Sequence, residues 1–366
     1  MTEFEKIPDE EAEQIANIVR LTREHFDQRY PGSTPVRRGV HPKDHGCVKA
    51  TFTVLDPLAE EFRVGVFAKP GQQFNALIRF SNADIDAQKP DSSIDTTSGK
   101  DVVRHGSRGM AVKLFGVSGN SLMRTRGPLT QDFLMINQPV FAFANVEDYE
   151  ALSKVNDDPV AFLKERLSNP DKNVRDRAAR TREIISGITT SVSPFPFQPP
   201  PISPVDNQYF SGAPFLFGSD RVMKYSAKPR SPEAGDLKDV TDKDYLRTAL
   251  YRRLMGRDAR TIEFDFQIQV RDAQTIGDIE TQIENVCTLW PDRFETVATI
   301  SIAPQNFESA EQKALCEDLI FSPWNGLVEH RPLGGINRLR RDVYLASSQI
   351  RHEQPTPTSR RCPYIE

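Results

Sequence analysis

Tyrosine and arginine are the residues of this 366-residue chain whose spacing carries chemistry; it has 8 Tyr and 32 Arg. A tyrosine can ligate the iron of a haem as its phenolate. A phenol ordinarily titrates near pH 10, so ionisation at neutral pH costs about 4 kcal/mol. The metal supplies most of that, and a guanidinium one helical turn away assists. The pattern sought is therefore Arg-x-x-x-Tyr. Chance gives on the order of 0.7 such pairs at this composition. The chain has four: Arg221/Tyr225, Arg247/Tyr251, Arg340/Tyr344 and Arg360/Tyr364. A second requirement separates them. Haem propionates need cations, and one place for a cation is seven residues after the tyrosine, on the same helical face. That position is Pro232 after Tyr225 and Asp258 after Tyr251, and it falls past Glu366 after Tyr364. Tyr344 has an arginine there, Arg351. On these residues alone, a core tyrosine on an arginine-rich helix is an equal reading of Tyr344.

Other chemistries lack support. There is no Walker loop, GxGxxG, GxSxG or HExxH pattern. His41 and His45 are four apart, but Pro42 and Gly46 argue against a helix joining them. Cys47, Cys287, Cys316 and Cys362 show no CxxC spacing, which fits a reduced cytosolic protein. A net charge of −4 makes nucleic acid an unexpected partner. No apolar run approaches a membrane span, and the acidic stretch Met1–Gln14 does not read as a secretory leader. A homo-oligomer is compatible with the sequence.

The elements that must position these residues follow from periodicity. Residues 8–29 predict an amphipathic helix, an arm over residues 1–30. From Val36 the period shortens. Phe52-Thr53-Val54, Ala76–Phe80, Met110–Leu114 and Phe133–Ile136 predict strands between turns. Residues 146–187 turn helical, an insertion packed on the remaining domain, 31–366. The proline-rich run Ser193–Pro201 predicts an extended connector. Ile262, Phe264, Phe266, Ile268 and Val270 alternate with polar residues, a strand buried on one face. Val297–Ile302 predicts another strand; 278–286, 308–320 and 337–351 predict helices. Strands framed by helices without βαβ alternation imply an α+β antiparallel barrel.

Several segments then resemble one family in order. Arg340-Arg341-Asp342-Val343-Tyr344 with Arg351 resembles the proximal helix of haem catalases. Arg38-Gly39-Val40-His41-Pro42-Lys43 resembles their distal Arg-x-x-His-x-Lys segment. Gly65–Gly71 followed by Ile78-Arg79-Phe80-Ser81, then Arg108-Gly109-Met110-Ala111-Val112-Lys113, then Asp132–Phe141, resemble later family segments. Phe321–Asn325 and Glu329–Gly334 look like those of the small catalase-related hydroperoxidases. The resemblance spans residues 38–351 and implies a catalase-like barrel without the extra C-terminal domain of large catalases.

The resemblance assigns roles. Haem b would be the cofactor and a small hydroperoxide the substrate. Tyr344 would be the iron ligand, with Arg340 as its hydrogen-bond partner. Arg38, Arg79 and Arg351 would bind propionates. His41 would be the distal general base, supported by Ser81, and Asn137 would orient the peroxide. Val40, Phe141 and Tyr149 would line the haem. Aligned on Pro139 without a gap, Ile136 rather than Asn137 meets the family amide, so the Asn137 assignment assumes a one-residue shift. Tyr149 stands where the family has Phe. The expected function is cleavage of the O–O bond of H2O2 or organic hydroperoxides. A fatty-acid hydroperoxide isomerase is one alternative; such members carry Thr before the distal histidine, where this chain has Val40. A non-enzymatic haem or lipid carrier is another.

Overall fold

The computed structural model describes residues 4–29, 38–84, 86–95, 102–123, 129–190, 202–233, 242–272 and 274–352. Eleven strands occur among them: β1 Asp44–Val54, β2 Gln73–Asn82, β3 Ser92–Asp95, β4 Val102–His105, β5 Arg108–Val117, β6 Leu129–Ile136, β7 Tyr209–Phe210, β8 Phe215–Phe217, β9 Arg221–Pro229, β10 Ile262–Asp272 and β11 Glu295–Ile302. The helices are α1 Glu11–Arg29, α2 Val146–Lys154, α3 Pro159–Arg166, α4 Lys172–Thr190, α5 Tyr245–Met255, α6 Ala310–Asp318 and α7 Gly335–His352.

Eight strands close on themselves in the order β10-β11-β1-β2-β5-β6-β7-β9, with β9 pairing back onto β10. Every pairing in the ring is antiparallel. Strand parity sets what fills this barrel. Val48, Phe52 and Val54 of β1, Ile78 and Phe80 of β2, and Phe264, Phe266 and Ile268 of β10 point inward and are buried. Phe133 packs 4.7 Å from Phe266 and 5.0 Å from Tyr225, centroid to centroid, so the interior is a solid aromatic core.

The opposite parity builds the outer layer. Cys47, Leu77, Phe115 and Leu134 face out of the barrel and are covered by Leu315, Cys316, Leu319 and Phe321 on and after α6. The α6 N-cap is Ser309, whose side chain accepts from the Gln312 N–H. On α7, Ile336, Leu339 and Val343 form a stripe against Ile15 and Ile18 of α1 and Val146 of α2. Among the described residues no helix is long and apolar enough to cross a membrane.

Most expected elements form, with informative differences. The 146–187 segment is three helices, α2 to α4, two of them opened by Asn145 and Asp158 caps. The helix expected over 278–286 reduces to one wide turn at Glu280–Glu284. Asp278 takes the Thr281 N–H and hydroxyl, while Ile276, Ile283 and Trp290 pack with Leu216, Val222 and Leu333. Local capping and tertiary packing there override helical periodicity. The proline-rich connector and the Arg360/Tyr364 pair lie outside the described residues.

Candidate functional site

A cavity of about 670 Å³ lies outside the barrel wall, between β2, β5 and the β6 exit on one side and α7, α1 and α2 on the other. Arg38, Val40, His41, Arg79, Ser81, Phe141, Tyr149, Arg340, Tyr344 and Arg351 all line it. Residues spread over more than 300 positions thus share one chamber.

His41 has a φ of 54°, in the left-handed region that bulky side chains rarely enter. Its backbone is held there by the Arg79 guanidinium, whose Nη2 donates to His41 O at 2.8 Å. The His41 Nδ1 lies 2.9 Å from Ser81 Oγ. Ser81 pairs with Gly109 across β2 and β5, and a Cβ on Gly109 would meet His41 Nδ1 at 2.5 Å. The imidazole therefore needs glycine in the strand beneath it. Burial, and then the charges of Arg79, Arg340 and Arg38, push its pKa down to about 3. It is neutral at physiological pH and has one ring nitrogen free to accept a proton.

Three guanidiniums converge on one end of the cavity. Arg38 Nη2 donates to Cys316 O at 2.7 Å and Leu319 O at 2.9 Å. Arg351 donates to Glu317 O at 2.7 Å and Leu319 O at 3.0 Å. Arg79 is 4% exposed and Arg351 is 8% exposed. Backbone carbonyls hold all three, and among the described residues none has a carboxylate within ion-pair distance. Arg38 Nε and Arg79 Nε are buried without a partner. Burial first, then repulsion from Arg79 and Arg351, brings the Arg38 pKa down to about 9. Burial also lowers the Arg351 pKa, and nearby Glu317 offsets part of that. Desolvated cations without a direct ion pair are costly, and two of them retain unused donors. The arrangement fits a ligand carrying carboxylates or phosphates.

Tyr344 is partly buried on α7, one turn beyond Arg340. Arg340 lies over the Tyr344 ring at 5.5 Å and over Phe141 at 5.7 Å. Its Nη1 donates to Asn337 Oδ1 at 3.0 Å. Its contact with Tyr344 is thus through the ring face, where the sequence had suggested a bond to the phenol oxygen. Tyr149 is buried, which raises its pKa, and meets Phe143 edge-on at 5.3 Å. The decoy tyrosines part company. Tyr225 is in the barrel core, 1% exposed, and Tyr251 is 44% exposed on α5.

Asn137 does not line the cavity. Its Nδ2 donates to Asn207 Oδ1 at 2.8 Å and its Oδ1 accepts the Arg108 N–H at 2.7 Å. Its neighbours Ile136 and Gln138 do line it. Asn137 follows the last residue of β6, where the chain bends, and its two side-chain bonds turn the amide toward Arg108 and Asn207. The Gln138 amide donates to Ser107 Oγ, and Ser107 also lines the cavity. Gln138, Ser107 and Gly109 were not singled out as site residues in the sequence. Gly109 carried a signal, as an isolated glycine in a strand; Gln138 carried none before the face was known.

No protein-family model matches the chain, and no curated protein matches it. Solved structures do. A fungal catalase is 16% identical with a TM-score of 0.65, covering 90% of this chain and 61% of that one. Catalase A from Saccharomyces cerevisiae is 17% identical with a TM-score of 0.63, covering 90% and 63%. A bacterial catalase is 16% identical with a TM-score of 0.59, covering 90% and 59%. The chain spans about three fifths of the length of these proteins. At such identity the likeness is one of fold.

Proposed function

We propose that this protein is a haem-dependent hydroperoxidase acting on H2O2 or small organic hydroperoxides. The observation that carries the reading is the cluster of Arg38, Arg79 and Arg351, held by backbone carbonyls and in no direct ion pair, in the same cavity as His41 and Tyr344. The residues fit a haem: three cations, two of them with unused donors, for its carboxylates, an oxygen ligand on α7, and the side chains of Phe141, Tyr149 and Val40 along the cavity wall. Tyr344 would hold the iron, and the arginines the propionates.

Bound haem would supply the redox centre for O–O cleavage. The chain's own residues do the rest. Neutral His41 accepts the hydroperoxide proton at the ring nitrogen away from Ser81 and returns it to the leaving oxygen. Ser81 and the Arg79 bond to His41 O keep the ring in one orientation. Gln138, held by Ser107, is the amide on the cavity side and takes the substrate-orienting role first assigned to Asn137. Asn137 supports the wall from behind through Arg108.

A second reading, isomerisation of a fatty-acid hydroperoxide, draws on the apolar side chains of Ile18, Phe26, Leu152 and Ile188 in the same cavity. Val40 before His41 favours the first. A carrier would have no use for a strained, serine-bound imidazole. Titration with hemin tests the proposal: a Soret band should saturate at one equivalent, and the loaded protein should evolve oxygen from H2O2. Absence of a Soret band sinks it. Loss of diene absorbance from a lipid hydroperoxide, without oxygen from H2O2, selects the second reading.

A further inference from the structure

Cys47 on β1 and Cys316 on α6 come together although 269 positions separate them in the chain. Both are buried free thiols, 4% and 3% exposed, in the same apolar cluster between β1 and α6. They face a second, smaller cavity of about 190 Å³, which Asp44, Arg247, Lys313 and Glu317 also line. That void has charged walls and room for a molecule the size of a peroxide. The contact is backed by a second tie between the same elements, Gln312 Nε2 donating to Cys47 O at 3.2 Å.

We propose that Cys47 and Cys316 are a dithiol modification site, which a hydroperoxide entering this smaller cavity oxidises to a disulfide. The ionised sulfur of one cysteine attacks a peroxide oxygen. An S–O bond forms, the O–O bond breaks, and the alcohol or water leaves with a proton. The second sulfur then attacks the resulting sulfenic acid. The S–S bond forms and water departs. Two thiols lose two electrons in total, and the peroxide gains them.

The site touches the arginine cradle from outside. Cys47 pairs with Arg79 across β1 and β2. The Cys316 carbonyl accepts from Arg38. A disulfide bond of about 2 Å draws the sulfurs closer than two thiols in van der Waals contact. It therefore pulls the end of α6, whose carbonyls hold Arg38 and Arg351, toward β1. The neighbouring Cys316 thiol, together with burial, raises the Cys47 pKa. Oxidation is accordingly slow at neutral pH and faster in mild alkali.

The test uses the full chain without hemin, so it is independent of the haem reading. The protein is incubated with H2O2, and separately with diamide, at pH 7 and pH 8.5. It is then denatured, alkylated, digested and mapped by mass. The expected product is a Cys47–Cys316 linked peptide, lighter by two hydrogen atoms and restored by dithiothreitol. Cys287, whose thiol donates to Phe141 O at 3.3 Å, should stay alkylatable. Cys47→Ser and Cys316→Ser proteins should each lose the linked peptide while keeping the same circular dichroism. Full alkylation of both cysteines after both oxidants, or linkage of either to a different cysteine, overturns the proposal.

Discussion

The His41 imidazole rests on the Ser81 hydroxyl, Nδ1 to Oγ 2.9 Å, because the strand beneath both has glycine, Gly109, as its second residue. A Cβ at Gly109 would sit 2.5 Å from the ring and 2.8 Å from that hydroxyl. The β2–β5 register sets Ser81 opposite Gly109, so barrel pairing itself fixes the distal group. Overpacking at such a point costs about 1–3 kcal/mol. Gly109→Ala should therefore lower the urea midpoint and abolish peroxide turnover together. Ser81→Ala should leave the midpoint within about 1 kcal/mol and cut turnover tenfold or more. Unfolding curves and initial rates separate the two, and a fully active Gly109→Ala protein contradicts the geometry.

The arginine cradle makes stability and binding move in opposite directions. Arg351→Met removes a buried cation that has no direct ion pair, so the apoprotein should be as stable or up to about 1 kcal/mol more stable. Hemin affinity should fall at least tenfold, about 1.4 kcal/mol. Denaturation of the apoprotein and hemin titration check both halves. A variant that binds hemin as tightly as the parent removes Arg351 from the cradle.

The tyrosines offer an internal control. Tyr344→Phe should shift or eliminate the Soret band of the hemin-loaded protein. Tyr225→Phe, in the barrel core, should cost stability but leave the spectrum unchanged. The reverse pattern would assign the ligand wrongly.

Acid should unfold the protein in a defined window. Burial, the largest cause in each case, lowers the pKa of His41 to about 3 and of His45, His105 and His330 to about 4. Unfolded histidine titrates near 6.5. Between these values the unfolded chain binds more protons than the folded one, so stability falls as pH falls. Each histidine contributes up to about 1.4 kcal/mol per pH unit in that range. Denaturant midpoints should drop steeply from pH 6.5 to 4. A flat profile across that interval would falsify the buried neutral histidines.

Much of the fold was legible because strands and helices advertise themselves locally. The alternation from Ile262 to Val270 became β10, and the Asn337–Arg351 pattern became the body of α7. Strand β9 and helix α5 were not anticipated; each carries an Arg-x-x-x-Tyr decoy whose tyrosine has a plain structural place. The 278–286 helix was expected on periodicity and lost to capping by Asp278 and to packing around Trp290.

By itself, the sequence determined the barrel class, the α7 register that puts Arg340, Tyr344 and Arg351 on one face, and the strand bearing Arg79 and Ser81. Those are properties of neighbours a few residues apart, where a fixed period converts order into direction. Only the tertiary structure decided that Arg38, Arg79 and Arg351 converge without direct ion pairs, that Gln138 and not Asn137 meets the cavity, and that Cys47 and Cys316 line one void. Each depends on a bend after one strand or on closure of chain segments hundreds of residues long. No local period encodes such contacts, since packing of the whole barrel selects among registers that the sequence leaves close in energy.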